Sequence, residues 1–221
     1  MANKFINSFS DLHNAVAGYG KTTIIYRGVK SVLHKLIPEV GRLTYKGSRI
    51  DENDERTILR LFKEQTLPHL NFLPESDWDW LALGRHYGLP TRLLDWTRNP
   101  LIAAYFAVEK EHDGKSLIYA FRTNKFIPTD KKRYPFRWKK VGKFIPKHIT
   151  RRITAQVGVF TIHPKPTEHF ASKDIDRLII SKGCRKELKQ TLYRYGIHRA
   201  SLFPDPDGLS THIRWLRTDV Y

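Results

Sequence analysis

Residues 85–100 read Arg85-His86-Tyr87-Gly88-Leu89-Pro90-Thr91-Arg92-Leu93-Leu94-Asp95-Trp96-Thr97-Arg98-Asn99-Pro100. Charged and aromatic side chains are mixed with apolar ones here, and a fully apolar helix follows. Because each buried polar group needs a partner, this density of polar groups indicates a functional site. The alternative is a buried ion-pair network in which Arg92 pairs with Asp95 and His86 meets a backbone carbonyl.

Helix signals on both sides of this stretch fix the local fold. A helix is expected over residues 77–86, delivering Arg85, His86 and Tyr87 at its end, where Gly88 stops it. Asn99 is a preferred N-cap and Pro100 a preferred first helical residue, so a second helix starts at residue 100. Its residues 101–108 are apolar on every side, which is typical of a helix in the core.

The remaining patterns mix helices and strands without strict alternation. Helical spacing predicts helices over residues 8–19, 51–65, 185–195 and 208–216, and β-branched runs predict strands over 22–26, 116–121, 157–162 and 175–180. We therefore expect a single α+β domain with a central antiparallel or mixed sheet flanked by helices. Gly28 is expected to let the chain turn after the first of these strands, or to approach a ligand closely.

The chain is strongly basic, with 39 Lys and Arg against 22 Asp and Glu, a formal net charge of +17. Residues 131–152, hereafter the basic segment, contribute ten basic residues and no acidic one. Aromatic residues are interleaved, a mixture that single-stranded nucleic-acid sites use for phosphates and bases. The alternative is a solvated loop whose aromatic side chains cover a neighbouring surface. The nucleic-acid-binding residues predicted from this segment are Lys131, Lys132, Arg133, Arg137, Trp138, Lys139, Lys140, Lys143, Arg151 and Arg152.

Composition limits the other classes of function. A chain of 221 residues with 40% hydrophobic residues can build a full core, and its apolar runs are too short for a membrane helix. The first residues lack the apolar core of a secretion signal, and the single cysteine, Cys184, excludes an intramolecular disulfide. We expect a cytoplasmic protein with no membrane partner. No metal-ligand spacing is present, so no metal is expected.

Several motifs, in order, resemble the bacterial and phage FRG domain. They are Tyr26-Arg27-Gly28, residues 86–97 with Asn99-Pro100 and the apolar helix, Gln156-Val157-Gly158-Val159-Phe160, and residues 202–209. The resemblance implies one FRG domain over residues 1–221 with a basic, aromatic-containing insertion at about 125–152. Arg85 stands where most members are expected to carry glutamine. The resemblance also implies a toxin or anti-phage defence setting.

Three of these segments further resemble the catalytic strands of the ADP-ribosyltransferase fold, which implies NAD as the substrate. They are Tyr26-Arg27-Gly28, residues 93–97 with the following helix, and residues 156–160. The third departs from the pattern because Gly158 stands at the catalytic glutamate position, and Asp95 is the carboxylate expected to replace it. The catalytic residues predicted are Arg27, His86, Asp95 and Gln156. The NAD-binding residues predicted are Tyr26, Gly28, Tyr87, Thr91, Arg92 and Thr97.

The chemistry of these side chains agrees with that assignment. Breaking the bond to nicotinamide needs a cation for the pyrophosphate and a carboxylate near the developing positive charge, and Arg27 and Asp95 supply them. Tyr87 could stack on nicotinamide, while Thr91, Thr97 or Gln156 could bond the ribose or carboxamide. Each also has a structural interpretation, as a core aromatic residue, a turn residue or a satisfied strand residue.

Two other classes of function fit the same residues. A metal-independent nuclease or phosphotransfer enzyme would use His86 as acid or base, oriented by Asp95, with Arg27 and Arg92 holding a phosphate. A non-catalytic RNA- or DNA-binding module would use Arg27, Arg92 and the basic segment to follow phosphates. NAD binding separates the transferase from both, and tolerance of a change at Asp95 separates the module from either enzyme.

Overall fold

The computed structural model describes residues 2–124, 126–128, 134–146, 150–218 and 220–221. Its strands are β1 (Asn3–Ile6), β2 (Ile24–Val29), β3 (Thr44–Tyr45), β4 (Ser48–Arg49), β5 (Leu93–Thr97), β6 (Ser116–Arg122), β7 (Gly142–Phe144), β8 (Gly158–Ile162) and β9 (Ile175–Ile180). Its α-helices are α1 (Phe9–Ala17), α2 (Glu52–Thr66), α3 (Asp77–His86), α4 (Pro100–Val108), α5 (Arg151–Ala155), α6 (Arg185–Arg194), α7 (Arg199–Leu202) and α8 (Pro206–Arg217).

A seven-stranded sheet in the order β1-β9-β6-β2-β5-β8-β7 organises the chain. β1 and β9 run parallel and the other neighbours run antiparallel, so the sheet is mixed. Helices α1, α4 and α6 pack against one part of it, and α2 and α3 against another. The predicted α+β class with a central sheet flanked by helices is confirmed.

The sheet is weakly joined between β2 and β5, a boundary that we call the seam. β2 pairs with β6 over six residues and β5 with β8 over five, but β2 and β5 share one registered pair, Tyr26 with Thr97. Arg27 spans the gap by donating from Nη1 to the backbone oxygen of Asp95 at 2.6 Å. A side chain thus replaces part of the missing main-chain ladder.

Strong local signals gave accurate boundaries. Ser76 caps α3 in a capping box with Asp79, Gly88 follows its end with φ +88°, and Asn99 caps α4 as expected. The strand 175–180 is also confirmed. The last helix begins earlier than predicted, at Pro206, because Asp205 caps it by accepting a hydrogen bond from the Gly208 amide.

The predicted turn at Gly28 is wrong, because β2 continues to Val29. A Cβ at Gly28 would lie 1.8 Å from the backbone oxygen of Ala103 in α4. Gly28 therefore permits the close approach of β2 to α4.

Candidate functional site

A cavity of about 440 Å³ opens at the seam, between β2, β5 and the ends of α3, α5 and α4. We call it the central cavity. All four residues predicted to be catalytic line it: Arg27, His86, Asp95 and Gln156. Its five cationic side chains against two acidic ones make it electropositive; they are Arg27, Lys30, Arg85, Lys110 and Arg152, against Asp95 and Glu109.

Asp95 lies between two arginines at the centre of this cavity. Arg85 donates from Nε to both carboxylate oxygens, at 3.1 and 3.0 Å, and from Nη2 at 2.9 Å, while Arg27 Nη1 is 3.3 Å from Oδ2. Burial alone would raise the pKa of Asp95, but Arg85 and Arg27 lower it below its usual range. Its side chain is still 42% accessible, so an ionised carboxylate faces the cavity.

Arg85 is the site residue that the sequence analysis missed. It sits in the last turn of α3, where a cation favours the helix dipole, and also pairs with Glu39. Asp95 raises the pKa of Arg85, whereas burial lowers that of Arg27. The signal was available, because Arg85 adjoins His86 at the predicted helix end, but its partners are distant in sequence.

His86 also lines the cavity, and its Nδ1 lies 3.4 Å from the hydroxyl of Thr150. Burial, and then the charge of Arg152, lower its pKa to about 4. The imidazole is neutral at pH 7. Asp95 accepts its hydrogen bonds from Arg27 and Arg85, so the expected orientation of His86 by Asp95 is wrong.

Gln156 lies just before β8, and Thr97 fixes its backbone. The Thr97 hydroxyl donates to the backbone oxygen of Gln156 at 2.7 Å, and the Gln156 side-chain amide donates to the oxygen of Leu202 at 3.1 Å. Val157 next in the chain has φ +48°, an uncommon conformation for a β-branched residue that costs of order 1–3 kcal/mol. The strained residue lies immediately before β8, where that strand begins to line the cavity.

Three of the predicted NAD-binding residues line the cavity and three do not. Tyr26, Gly28 and Thr97 contribute to its wall. Tyr87 is 62% exposed outside it, and Thr91 is buried, accepting a hydrogen bond from the Leu93 amide. For Tyr87 and Thr91, the expected position beside the other site residues is wrong.

Arg92 is also misplaced by the sequence analysis. It is 2% exposed, and its Nε and Nη2 donate to Glu55 at 2.9 and 2.8 Å. The pairing of Arg92 with Asp95 is therefore wrong, because a carboxylate 37 residues earlier in the chain takes that place. This part of the motif does form a buried ion pair, whereas Asp95 belongs to the cavity.

The basic segment divides into buried and exposed parts. Lys131, Lys132 and Arg133 lie outside the described residues. Lys143 is 1% exposed and donates from Nζ to the Thr123 oxygen at 2.7 Å, so its predicted surface contact is wrong. Phe136 and Phe144 are buried in the core, with Trp138 packed against it. These rings explain much of the aromatic interleaving without a nucleic acid.

Four of the predicted nucleic-acid residues remain at the surface, and one belongs elsewhere. The four residues with exposed side chains are Arg137, Lys139, Lys140 and Arg151. Arg137, Trp138 and Lys139 also line a second cavity of about 740 Å³. Arg152 is no more than 15 residues from these four in the chain, but it lines the central cavity.

The model of the FRG domain matches residues 22–116. This segment, a little less than half of the chain, is therefore similar to the FRG domain. That range carries Arg27, Arg85, His86 and Asp95, but β1, β7, β8 and β9 lie outside it, so the extent over residues 1–221 stays a prediction. No curated protein and no solved structure matches the chain significantly, and the ADP-ribosyltransferase-like fold stays a prediction too.

The described part of the chain has neither a membrane-spanning helix nor a metal-binding cluster. None of its helices is long and apolar enough to cross a membrane. Within the same residues, no group of three or more His, Cys, Asp or Glu side chains is placed to hold a metal ion.

Proposed function

We propose that the FRG domain binds NAD in the central cavity and transfers its ADP-ribose unit, as an ADP-ribosyltransferase-like enzyme. The observation that carries this proposal is the register of three neighbouring strands. Tyr26 pairs with Thr97, and Thr97 pairs with Gly158, so the three segments of the resemblance form one row across β2, β5 and β8. All three border the same cavity.

The cavity supplies the features that this reaction needs. Its volume of about 440 Å³ lies in the usual range for small-molecule sites, and its excess positive charge suits a pyrophosphate. When the bond from the ribose C1′ to nicotinamide breaks, its electron pair leaves with the nicotinamide and positive charge grows on the sugar. Asp95, ionised and fixed by two arginines, offers the carboxylate that Gly158 lacks.

An acceptor must then bond to C1′ and lose a proton. His86 is neutral at pH 7, the protonation state required of a base, and lines the same cavity. In this scheme Arg85 and Arg27 hold Asp95 in place, and His86 receives the proton of the acceptor.

Nicotinamide release from NAD tests the proposal directly. We expect release by the wild type, and a loss of about 10²–10³-fold in Asp95→Asn, since the variant keeps the shape of the side chain and removes its charge. Asp113→Asn is the matched control, because that side chain is 87% exposed and outside the cavity. Melting temperatures of all three proteins control for folding. A folded wild type that neither binds NAD nor releases nicotinamide would refute the transferase.

The same assay separates the rival functions. A phosphotransfer enzyme would cleave RNA or DNA through His86 without releasing nicotinamide, and a binding module would do neither and would tolerate Asp95→Asn. The ion pairs of Asp95 with Arg27 and Arg85 leave His86 against Thr150, which favours the transferase over the phosphotransfer enzyme.

We propose nucleic acid as the acceptor class, bound along the exposed side chains of the basic segment. The support is the group Arg137, Lys139, Lys140 and Arg151 together with the net charge of +17. We also infer a toxin or phage-defence setting from the family resemblance. Induced expression in bacteria tests that setting, with growth arrest expected for the wild type and normal growth for Asp95→Asn.

A further inference from the structure

The two arginines nearest Asp95 are both engaged by protein groups, Arg85 through all three of its nitrogens and Arg27 through Nη1. Arg85 gives Nε and Nη2 to Asp95 and Nη1 to Glu39, while Arg27 gives Nη1 to both the backbone and the carboxylate of Asp95. A phosphate that took the donors of Arg85, or Nη1 of Arg27, would have to displace Asp95, the carboxylate that the proposed reaction needs. A cation that does not hold Asp95 is therefore better placed to bind the anionic part of the ligand.

Arg152, in the wall of the central cavity, is the cation best placed for this role. It lies on α5 beside Ile153, and its guanidinium carbon is 4.0 Å from the ring centroid of Phe203. Within the described part of the chain, its side chain has neither an ion pair nor a hydrogen bond. Arg199 provides the contrast, because it stacks on the same ring at 3.5 Å and is paired with Glu109 at 2.6 Å.

An unpaired, partly buried guanidinium is unfavourable, and an anion in the cavity would relieve it. Burial and the charge of Arg199 lower the pKa of Arg152, and the more weakly acting carboxylates Asp205, Asp95 and Glu109 offset this only in part. The guanidinium carbon lies over the ring of Phe203, an arrangement that attracts the cation without using its N–H donors. Lys30 and Lys110 add two exposed cations to the same cavity.

We propose that Arg152 is the phosphate-binding residue of the central cavity and takes the pyrophosphate of a dinucleotide, while Arg27 and Arg85 position Asp95. This inference rests on the proposed function for the identity of the ligand as a dinucleotide. The planar fork of arginine donates two parallel hydrogen bonds to phosphate oxygens, which a lysine cannot reproduce. This assignment replaces the nucleic-acid-binding role that the sequence predicted for Arg152 from its position in the basic segment.

Calorimetric titration with four probes tests the assignment: NAD, ADP, inorganic pyrophosphate and adenosine. In Arg152→Gln we expect affinity for the three phosphate-bearing probes to fall by about 10–100-fold, the usual worth of charge-assisted hydrogen bonds, and affinity for adenosine to be unchanged. Arg152→Lys should recover part of the loss, because it restores the charge without the fork. Arg194→Gln is the control, an exposed arginine on α6 outside the cavity.

Proton titration of His86, followed by NMR, is a second measurement on the same variants. Because Arg152 helps to lower the pKa of His86, that pKa should rise in Arg152→Gln and also when pyrophosphate binds the wild type. A merely structural role of Arg152 would not give the second change.

The outcomes separate this inference from the proposed function. Unchanged affinity of Arg152→Gln for pyrophosphate and NAD, or a wild type that binds none of the phosphate-bearing probes, overturns the assignment. If Arg152→Gln unfolds, Arg152→Lys decides: wild-type affinity for ADP together with no pyrophosphate effect on His86 overturns it. Binding of ADP through Arg152 without nicotinamide release upholds the assignment and refutes the transferase.

Discussion

The buried ion pair between Arg92 and Glu55 is the contact whose loss we expect to cost the fold most. The two side chains are 2% and 5% exposed and share two hydrogen bonds, at 2.9 and 2.8 Å. They join α2 to the segment that leads into β5, and the guanidinium also lies over Phe136 at 4.6 Å. Glu52, the other carboxylate near Arg92, is 3.7 Å away and 48% exposed, so it compensates little.

Glu55→Gln keeps the shape of the side chain and leaves a buried guanidinium without its counter-charge. Removing one partner of a buried pair costs about 3–5 kcal/mol. With roughly 2–4 °C per kcal/mol for a chain of this size, the melting temperature should fall by about 6–20 °C. Thermal and urea denaturation measure the change. Glu64→Gln, in an exposed pair with Arg60 on the same helix, is the control and should cost about 0.3–0.5 kcal/mol.

A loss of stability in Glu55→Gln no larger than in Glu64→Gln would refute this reasoning. Loss of NAD binding by Glu55→Gln at a temperature where the variant is folded would also contradict it, because it would return Arg92 to the ligand site. We expect instead that the folded variant binds NAD as the wild type does.

Three further outcomes follow from the structure. Gly28→Ala should destabilise the protein by at least about 1–3 kcal/mol in urea denaturation, because the new methyl group would meet the backbone of Ala103; a neutral result would contradict that packing. The urea midpoint should fall as the pH drops from about 6.5 towards 4, since the unfolded chain binds protons that His86 in the folded chain, with its pKa of about 4, does not; His86→Gln should flatten the slope. Charge reversal of Lys139 and Lys140 to Glu should weaken binding of single-stranded RNA or DNA and lower its salt dependence in fluorescence anisotropy, and an equal reversal outside the basic segment should not.

The parts of the fold that sequence predicted well are those set by neighbours in the chain. Capping residues, a glycine after a helix and β-branched runs act within a few residues, and they located α3, α4 and β9. β1 shows the opposite case, because it pairs in parallel with β9 near the other end of the chain. Its four residues carry no local signal of that pairing.

In the candidate site, too, local sequence predicted some features and tertiary packing determined the others. The motif located Asp95 and His86, and the strand order brought Arg27 and Gln156 to them. The partner of each arginine could not be predicted, since Arg92 and Arg85 lie in one motif and find carboxylates on different elements. The basic segment misled for a related reason, because its charge is visible in the sequence but the burial of Lys143 and Phe144 depends on tertiary packing.

The seam between β2 and β5 links occupancy of the cavity to the cooperativity of unfolding. Four strands lie on one side of it and three on the other, joined there by one backbone pair, by the contacts of Arg27 with Asp95 and by apolar packing such as that of Trp96 on Phe121. Because the backbone pairing is so sparse there, we expect the two sides to open with different free energies, as separate units in hydrogen exchange. A ligand that contacts both sides stabilises only the joined state, so it should make the amide protection of β2 and β5 converge. Ligand binding at this site would then change amide exchange in strands far from the ligand, because the two sides of the sheet would exchange as one unit.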